Sequence, residues 1–273
     1  MKKLLRVSVI MGLYNCADTL CEAIESIIAQ TFEGWELILC DDGSTDKTYE
    51  IALGYAKVYS DNIVLLKNSE NKGLNYTLNR CLKYAKGQYI ARMDGDDVSL
   101  PERLEKEVEF LDTHPEYAIV STPMIYFDSK GEWGRGKAIE IPQLKDFVFH
   151  APFHCHAPCM IRREAFEAVK GYTVDKRLLR YEDCNLWYKL YAAGFRGYNL
   201  QQPLYKMRDD REAYKRRTPK TRLRAVYVQY VGFKMIGIPL RYYPYLIVEF
   251  LKSVVIILLP EKIYVSLHKK KQR

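Results

Sequence analysis

The chain has 273 residues with a formal charge of +8, and 48% of its residues are hydrophobic and 28% charged. This composition excludes disordered and collagen-like classes and is typical of a globular protein. The charge is unevenly placed, because residues 1–200 carry 25 Lys and Arg against 29 Asp and Glu, whereas residues 201–273 carry 17 against 5. The sequence therefore indicates an acidic domain followed by a basic C-terminal region.

Two features bear on the compartment. The seven cysteines are scattered without a CxxC pair, which favours free thiols in a reducing cytosol, and Cys155 and Cys159 are too isolated a pair to indicate zinc. The short apolar run after Lys2 and Lys3 lacks a small-residue cleavage site, so it is predicted to be a buried strand rather than a signal peptide.

The first half of the chain alternates between strand and helix patterns. A run rich in Val and Ile is typical of a strand buried on both faces, and apolar residues at helical spacing predict the helices. The predicted elements are a strand over Leu4–Leu13, a helix from Asp18 to about Gln30, a strand over Trp35–Cys40, a helix, a strand over Asn62–Lys67, a helix over Leu74–Ala85 and a strand over Gln88–Met93. Four such alternations predict an α/β fold with a mostly parallel sheet flanked by helices.

Polar clusters follow three of these strands. Tyr14 and Asn15 end the first, Asp41 and Asp42 end the second, and Asp94–Asp97 ends the fourth. Ligands bind at the carboxyl ends of the strands in such sheets, so we expect the three clusters to meet in one crevice.

The pattern changes after about residue 118. Short strands are predicted over Ala118–Ser121 and Met124–Phe127, next to a Gly-rich segment at 130–137. That segment lacks the GxxxxGK[ST] spacing of a phosphate-binding loop. A hairpin is the favoured interpretation and a lid on the acceptor side is the alternative.

Three carboxylates crowd into four residues at Asp94, Asp96 and Asp97. Like charges so close together raise one another's pKa unless a cation neutralises them, and oxygen ligands suit Mg²⁺ or Mn²⁺. A turn with a helix N-cap is the structural alternative, but capping needs only one acid. The cluster therefore favours a metal site that also binds a nucleotide diphosphate.

Two further acidic segments have both structural and functional interpretations. The turn at 41–46 could simply cap the next helix, but Asp41 at the strand tip could accept the imide N–H of a uracil ring on which Tyr14 stacks. Glu182 and Asp183 open an amphipathic helix, where acids favour the helix dipole, and a carboxylate there could also serve as a general base.

Taken together, these segments resemble a known family. The segments VSVIMGLYN at 7–15, AQTFEGWELILCDDGSTDKT at 29–48, IARMDGDD at 90–97 and YEDCNLWYKLYAAG to 194 occur in the order and spacing of the family 2 glycosyltransferases. Those enzymes are inverting, have the GT-A fold and use nucleotide-diphosphate sugars. The resemblance covers roughly residues 6–208 and is greatest to bacterial enzymes of lipopolysaccharide and other surface-polysaccharide synthesis.

The resemblance implies a role for each matching residue. Tyr14 and Asp41 would hold the base with Asp42 close by, Asp94 would contact the ribose or the metal-bound donor, and Asp96 would bind Mn²⁺ or Mg²⁺. Asp183 would be the catalytic base. Three residues would lie on the acceptor or diphosphate side: His156, Glu182 and Arg208.

The sequence also departs from the family pattern. Gly12 stands where Pro is usual, Cys16 where an acid is common, and Leu78 where many relatives have Arg. Asp209 and Asp210 replace a His-containing run, which leaves Arg208 as the candidate for a phosphate contact.

The domain boundaries are expected at 1–208 for the catalytic domain, with a nucleotide-binding half at 1–117 and an acceptor-binding half at 118–208, and at 209–273 for a helical C-terminal region. The stretch Tyr242–Pro260 is apolar apart from Glu249 and Lys252, which lie three residues apart and can pair on a helix face. Its length is marginal for a spanning helix. Basic residues and tyrosines around it favour an appendage at an anionic membrane surface, and packing on the catalytic domain or on a second copy is the alternative.

The expected partners are a nucleotide-sugar donor, a glycan or lipid-linked glycan acceptor and the inner face of the cytoplasmic membrane, with a homodimer as a further possibility. We expect no nucleic-acid partner, because the acidic domain would repel the phosphate backbone of a nucleic acid and the basic tail lacks a known binding module. A phosphatase of the haloacid dehalogenase type is disfavoured, since Val98 stands where that motif needs Thr. A non-catalytic nucleotide-sugar-binding protein is the remaining alternative.

Overall fold

The computed structural model describes residues 4–149, 156–209 and 219–258. Its elements in chain order are β1 (Val7–Leu13), α1 (Leu20–Ile28), β2 (Trp35–Asp41), α2 (Thr48–Val58), β3 (Ile63–Lys67), α3 (Leu74–Leu82), β4 (Tyr89–Asp94), β5 (Val98–Ser99), α4 (Arg103–Thr113), β6 (Ile119–Ser121), β7 (Met124–Asp128), β8 (Gly131–Arg135), α5 (Asp146–Phe149), β9 (Met160–Arg162), α6 (Arg163–Ala168), α7 (Glu182–Ala192), β10 (Gly197–Asn199), β11 (Tyr205–Arg208), α8 (Pro219–Met235) and α9 (Pro244–Leu258). Cys155 lies outside the described residues, and so do Asp210 and two parts of the expected C-terminal region, 211–218 and 259–273.

The main sheet has seven strands in the order β10-β6-β9-β4-β1-β2-β3. Strands β4, β1, β2 and β3 are parallel, and β9 runs antiparallel between β4 and β6. The predicted mostly parallel sheet is therefore confirmed. Because β1 lies between β2 and β4 and all three strands are parallel, their carboxyl ends lie next to each other at one edge of the sheet.

Both faces of this sheet are buried, as the continuous apolar strands predict. One face packs against α1, α2 and α4, and the other against α3, α6 and α7. Alternation along β4 places Tyr89 and Ala91 on the first face and Ile90 on the second. Arg92 and Asp94 follow Ile90 at two-residue spacing, so they belong to the face that carries α7.

A second sheet of four short strands has the order β5-β11-β7-β8. Strands β7 and β8 form the hairpin expected around the Gly-rich segment. Trp133 stacks on Tyr126 with ring centroids 5.2 Å apart, and its indole N–H donates to the carbonyl of Asp209 at 3.0 Å. Strand β11, which ends at Arg208, pairs with both β7 and β5 and so lies beside the acidic segment after β4.

The C-terminal helices pack on the catalytic domain through α8. Val228 of α8 is buried in the same apolar cluster as Trp187 of α7, and Gln229 donates to the carbonyl of Val148 at 3.0 Å. The packing alternative is therefore what the structure shows for α8. In α9, the predicted Glu249–Lys252 pair is confirmed at 2.7 Å. None of the helices within the described ranges has the length and apolar character needed to cross a membrane.

Candidate active site

A cavity of about 390 Å³ lies where β1 and β4 end. It brings together four of the residues expected from the sequence, namely Tyr14, Asp94, Asp96 and Arg208. Gly12, Asn15, Cys16, Asp18, Thr19 and Gly95 complete its lining. The predicted convergence of polar strand ends on one crevice is therefore observed for β1 and β4.

The loop after β1 is fixed by Asn15. Its backbone has a φ of 49°, a left-handed conformation that Asn tolerates better than most residues. The Asn15 N–H donates to Ser44 Oγ at 3.0 Å, and its side-chain oxygen accepts the Thr45 N–H at 2.9 Å. These bonds join the loops after β1 and β2 and leave the neighbouring Tyr14 ring half exposed at the crevice.

Asp41 and Asp42 have different surroundings at the end of β2. Asp41 is fully buried, and its carboxylate accepts a long hydrogen bond of 3.3 Å from the Ser44 N–H. Asp42 accepts hydrogen bonds from the Asn68 side chain at 2.7 Å and from the backbone N–H groups of Lys72 and Gly73 at 2.8 and 2.9 Å. The Asp42 carboxylate therefore holds the 68–73 loop against β2. Neither Asp41 nor Asp42 lines the crevice cavity.

The acidic cluster at the end of β4 is compact. Oxygens of Asp94, Asp96 and Asp97 all lie within 4.8 Å of one another. Arg92 donates to Asp94 Oδ1 at 2.5 Å. Enclosure by the crevice and the neighbouring Asp94 carboxylate raise the pKa of Asp96, whose side chain reaches the surface. A cation bound here would relieve this repulsion.

Asp97 anchors β11 to the cluster. It is buried, and its two oxygens accept from the Tyr205 hydroxyl at 2.9 Å and from the Arg208 N–H at 2.7 Å. Burial, with Asp94 and Asp96 nearby, raises the pKa of Asp97 well above its ordinary value. Asp97 does not cap α4, whose N-cap is Glu102, so the structural alternative of helix capping is not observed for this residue.

Arg208 brings a positive charge to the crevice. Its guanidinium donates to the Asp96 carbonyl at 2.9 Å, lies 4.4 Å from the centre of the Phe127 ring and pairs with Glu22. Because the Asp97 carboxylate holds the Arg208 backbone, the acidic segment after β4 also positions the Arg208 guanidinium. The arrangement can bind a diphosphate from two sides.

Glu182 and Asp183 lie in the first turn of α7, as predicted. Burial raises the pKa of both carboxyls, while the positive charge of Arg92 acts in the opposite direction on each. Asp183 also accepts the Cys184 N–H at 2.8 Å. A raised pKa makes an ionised carboxylate a stronger proton acceptor, as a general base must be.

His156 differs from its expected place on the acceptor or diphosphate side. It is only 5% exposed, shares a 2.9 Å hydrogen bond with the Tyr172 hydroxyl and meets the Trp187 ring edge to face at 5.1 Å. Burial and the charge of Arg92 lower the pKa of His156 well below its ordinary value, so the ring is neutral. As a correction, His156 packs beneath α7 and does not line the crevice, because aromatic side chains enclose it.

Two residues at the site were missed in the sequence. Tyr205 approaches from β11, and nothing local in the sequence relates it to residues more than 100 positions earlier. Arg92 could have been found, because strand alternation places it on the same face as Asp94.

The carboxylates fit a divalent cation. Hard oxygen ligands suit Mg²⁺ and Mn²⁺, which commonly bind a few carboxylates together with substrate phosphates. Since Asp97 is engaged with β11, Asp94 and Asp96, which line the crevice, are the residues that would hold such an ion.

Comparison with known proteins agrees with this geometry. The model of glycosyl transferase family 2 matches residues 8–170. A Bacillus subtilis (strain 168) protein named as glycosyltransferase EpsE is 44% identical over 97% of this chain and 94% of its own length. The Escherichia coli UDP-Glc:alpha-D-GlcNAc-diphosphoundecaprenol beta-1,3-glucosyltransferase WfaP is 30% identical over 71% of this chain and 73% of its own.

Solved structures show the same fold. S. aureus TarS 1-349 in complex with UDP-GlcNAc has a TM-score of 0.67 at 18% identity, covering 98% of this chain and 88% of that one. The mannosyltransferase PcManGT from Pyrobaculum calidifontis, in complex with GDP-Man and Mn2+, has a TM-score of 0.64 at 19% identity, covering 98% and 74%.

Proposed function

The chain belongs to glycosyl transferase family 2, and we propose that it is an inverting glycosyltransferase that moves a sugar from a nucleotide-diphosphate donor to a hydroxyl of a glycan or lipid-linked glycan. The observation that carries this proposal is the meeting of Tyr14, the β4 carboxylates and Arg208 in one crevice. UDP is the expected nucleotide, since WfaP is named for UDP-Glc and TarS was solved with UDP-GlcNAc. The products serve cell-surface polysaccharide synthesis.

In this proposal the base of the donor binds between the loops after β1 and β2. The half-exposed ring of Tyr14 stacks on the base. The Asp41 carboxylate is fully buried and bonded to the Ser44 N–H, so it would accept the imide N–H of the base only after that turn moves away. Asp42 supports this pocket through the 68–73 loop. Asp94 contacts the ribose or the metal-bound donor.

The diphosphate lies between the acidic cluster and Arg208. Asp96 and Asp94 would hold Mn²⁺ or Mg²⁺, and a bound ion would supply Lewis acidity that stabilises the leaving diphosphate. Arg208 offers its guanidinium to the same phosphates, held in place by Asp97 and Phe127.

Asp183 takes the proton from the acceptor hydroxyl as that oxygen attacks the anomeric carbon. The bond to the diphosphate oxygen breaks with its electron pair, and the nucleoside diphosphate leaves from the opposite face. A single displacement of this kind inverts the anomeric configuration. Glu182 lies beside the acceptor.

Nucleotide binding is the first test. A ligand that binds only the folded state raises the melting temperature. We expect UDP with Mn²⁺ to do so more than GDP or dTDP, and we expect EDTA to reverse the effect. Asp96→Ala should lose the Mn²⁺-dependent part of the stabilisation, whereas Glu102→Gln, an exposed control at the N-cap of α4, should keep it. No stabilisation by any of the three nucleotides would refute the proposal.

Turnover separates the enzyme from a non-catalytic nucleotide-sugar-binding protein. Release of UDP from a panel of UDP-sugars is measured with glycan and lipid-linked acceptors. General bases typically contribute ~10²–10⁴-fold, so Asp183→Asn should lose transfer by that factor while keeping UDP binding. Transfer that survives in Asp183→Asn would remove Asp183 from the mechanism, and binding without release in the wild type would favour the non-catalytic alternative.

We also propose that residues 209–273 hold the catalytic domain, residues 1–208, at the inner face of the cytoplasmic membrane. In α9, Ile247, Phe250, Leu251 and Val255 are 45–62% exposed. Lys252 lies on the same helix and Arg241 just before it. Exposed apolar side chains with basic side chains nearby are typical of a helix that lies in a lipid interface.

Vesicle sedimentation tests this placement. The chain should bind vesicles that contain phosphatidylglycerol better than neutral phosphatidylcholine vesicles, and Phe250→Glu with Leu251→Glu should release it. Glu102→Gln is again the control. Light scattering of both proteins gives their oligomeric state. If the wild type is a dimer, and the double variant is a monomer that still binds vesicles, then α9 is a dimer interface instead.

A further inference from the structure

We propose that a cavity beside the first turn of α7 binds the hydrocarbon chain of a lipid-linked acceptor, and that Arg180 binds the phosphate that joins this chain to the sugar. The proposal rests on the transfer reaction proposed above, and it selects a lipid-linked acceptor over a free glycan. An exposed cation, two residues of the cavity wall and the proposed base all lie within residues 180–184.

The cavity has a volume of about 230 Å³ and lies where α7 meets the C-terminal helices. The Gln229 amide N–H in its wall donates to the Val148 carbonyl at 3.0 Å, and the Glu249 carboxylate pairs with Lys252 at 2.7 Å. These polar groups are therefore already bound to the protein. Most of the remaining wall is apolar or aromatic, with contributions from Phe147, Phe149, Tyr181, Tyr188, Ala225 and Val228. Such a lining favours a hydrocarbon over a sugar.

The cavity adjoins the proposed catalytic carboxylate. Its wall includes Tyr181 and Cys184, which flank Glu182 and Asp183 in the sequence. The Cys184 N–H donates to the Asp183 carboxylate at 2.8 Å. The wall and the proposed base thus share the first turn of α7. A sugar attached to the end of a chain in this cavity would have its hydroxyls held near Asp183.

Arg180 supplies a charge for the phosphate. Its side chain is exposed, and among the described residues no hydrogen-bond or ion-pair partner occupies its guanidinium. Its φ of 71° is a left-handed conformation, which costs energy in a residue other than Gly and occurs most often at functional sites. Nearby, the Arg177 guanidinium lies 5.3 Å from the centre of the Tyr227 ring, next to Val228 of the cavity wall. Guanidinium groups beside an apolar cavity match a lipid phosphate.

Helix α9 borders both the cavity and the apolar surface that we propose to face lipid. Glu249 lines the cavity, and the Tyr245 ring meets the Phe149 ring edge to face at 4.9 Å. Phe250 and Leu251 of the same helix are exposed. The cavity volume equals about eight groups of ~30 Å³, roughly the volume of a water molecule each. This is room for part of one chain but not for the two chains of a membrane phospholipid.

Calorimetry with farnesyl diphosphate tests the proposal without turnover. This soluble probe has one hydrocarbon chain and a diphosphate, and EDTA keeps metal ions out of the crevice. Ala225→Phe fills the cavity and should weaken binding by about tenfold, whereas Ala192→Phe, at the exposed end of α7, should bind as the wild type does. Arg180→Gln should also weaken binding by about tenfold but leave farnesol binding unchanged. Arg135→Gln, exposed on β8, is the matched control for charge.

Circular dichroism and stabilisation by UDP with Mn²⁺ show whether each variant is folded. If Ala225→Phe does not fold, the comparison of farnesyl diphosphate with farnesol in Arg180→Gln still decides the question. Wild-type affinity for farnesyl diphosphate in Arg180→Gln would overturn the proposal, and so would wild-type affinity in a folded Ala225→Phe. Dihexanoyl phosphatidylglycerol that binds as tightly, and is equally sensitive to Ala225→Phe, would show that the cavity takes a membrane lipid instead.

Kinetics then separate this proposal from the proposed function. Ala225→Phe should raise KM by about tenfold for a lipid-linked sugar and leave kcat unchanged, while KM for the methyl glycoside of the same sugar stays as in the wild type. A wild type that transfers sugar but does not bind farnesyl diphosphate overturns the role of the cavity alone. A wild type that binds farnesyl diphosphate but transfers sugar to no acceptor refutes the proposed function instead.

Discussion

Removal of the Tyr205 hydroxyl tests how strongly β11 stabilises the acidic cluster after β4. In Tyr205→Phe the ring stays, and the loss is confined to the 2.9 Å bond to Asp97 and the 3.3 Å bond accepted from the Asp94 N–H. Both partners remain in place, with Asp97 buried. A buried polar group left without its partner costs about 1–3 kcal/mol, so we expect the free energy of unfolding to fall by about 2 kcal/mol.

Urea unfolding at pH 7, followed by circular dichroism, measures this loss. Tyr55→Phe is the control, because its hydroxyl bonds to Glu25 at 2.7 Å on the exposed side of the protein. There water can replace the lost partner, and a loss of about 0.5–1 kcal/mol is expected. The reasoning would be refuted if the two variants lost the same stability, since burial of Asp97 would then have no energetic consequence.

The same variant should affect the crevice. Asp97 positions the Arg208 backbone through a 2.7 Å bond, and Tyr205 holds Asp97 from the other side. Tyr205→Phe should therefore weaken UDP–Mn²⁺ binding, measured by calorimetry, while Tyr55→Phe leaves it unchanged. Wild-type affinity in Tyr205→Phe would show that β11 holds Arg208 without help from this hydroxyl.

Three further outcomes are expected. Gly43→Ala should lower the free energy of unfolding in urea by about 2 kcal/mol or more, because φ is +73° and the new Cβ would lie 2.8 Å from the Glu70 backbone. Gly237→Ala is the control, because φ is +68° but the space around it is open, and it should lose only about 1 kcal/mol. Equal losses in the two variants would contradict the steric argument. The neutral, buried His156 has a lowered pKa, so its contribution to stability is present above the unfolded-state pKa of ~6.5 and is lost as pH falls. Between pH 7 and 5.5 the wild type should lose about 1.3 kcal/mol more than His156→Gln in urea unfolding, and parallel pH profiles of the two proteins would rule this out. Burial raises the pKa of Cys16 to about 11, so only ~10⁻³ of this thiol is thiolate at pH 8. A maleimide should therefore label Cys16 slowly in a mass-spectrometric time course, and UDP should slow the labelling further because Cys16 lines the crevice. Rapid labelling that UDP does not change would be inconsistent with this position.

The first half of the chain was predictable because its information is local. Continuous Val- and Ile-rich runs identify strands buried on both faces, and helical spacing identifies α1 and α3. The bounds differ by a few residues, with β1 beginning at Val7 instead of Leu4 and α3 ending at Leu82 instead of Ala85. The polar residues at the strand ends were found for the same reason, since parallel connections place all carboxyl ends at one edge.

The shortest strands of both sheets, and the placement of the residues near them, were decided by tertiary structure. Strands β5, β9, β10 and β11 have two to four residues each, too few to show a period, and they form because partners distant in sequence supply their hydrogen bonds. Likewise, the family resemblance implied that His156 lies on the acceptor or diphosphate side, but the rings of Tyr172 and Trp187 enclose it.

The sequence by itself determined which acids gather at the strand ends and, through its uneven charge, that two regions with different electrostatic properties follow one another. The tertiary structure alone decided how the acids are used: Asp97 holds β11, Asp42 holds the 68–73 loop, and Asp94 and Asp96 reach the crevice. The physical reason is that a carboxylate's role depends on which donors lie within about 3 Å of it. Those donors come from segments as far away in sequence as β11, which only folding brings near.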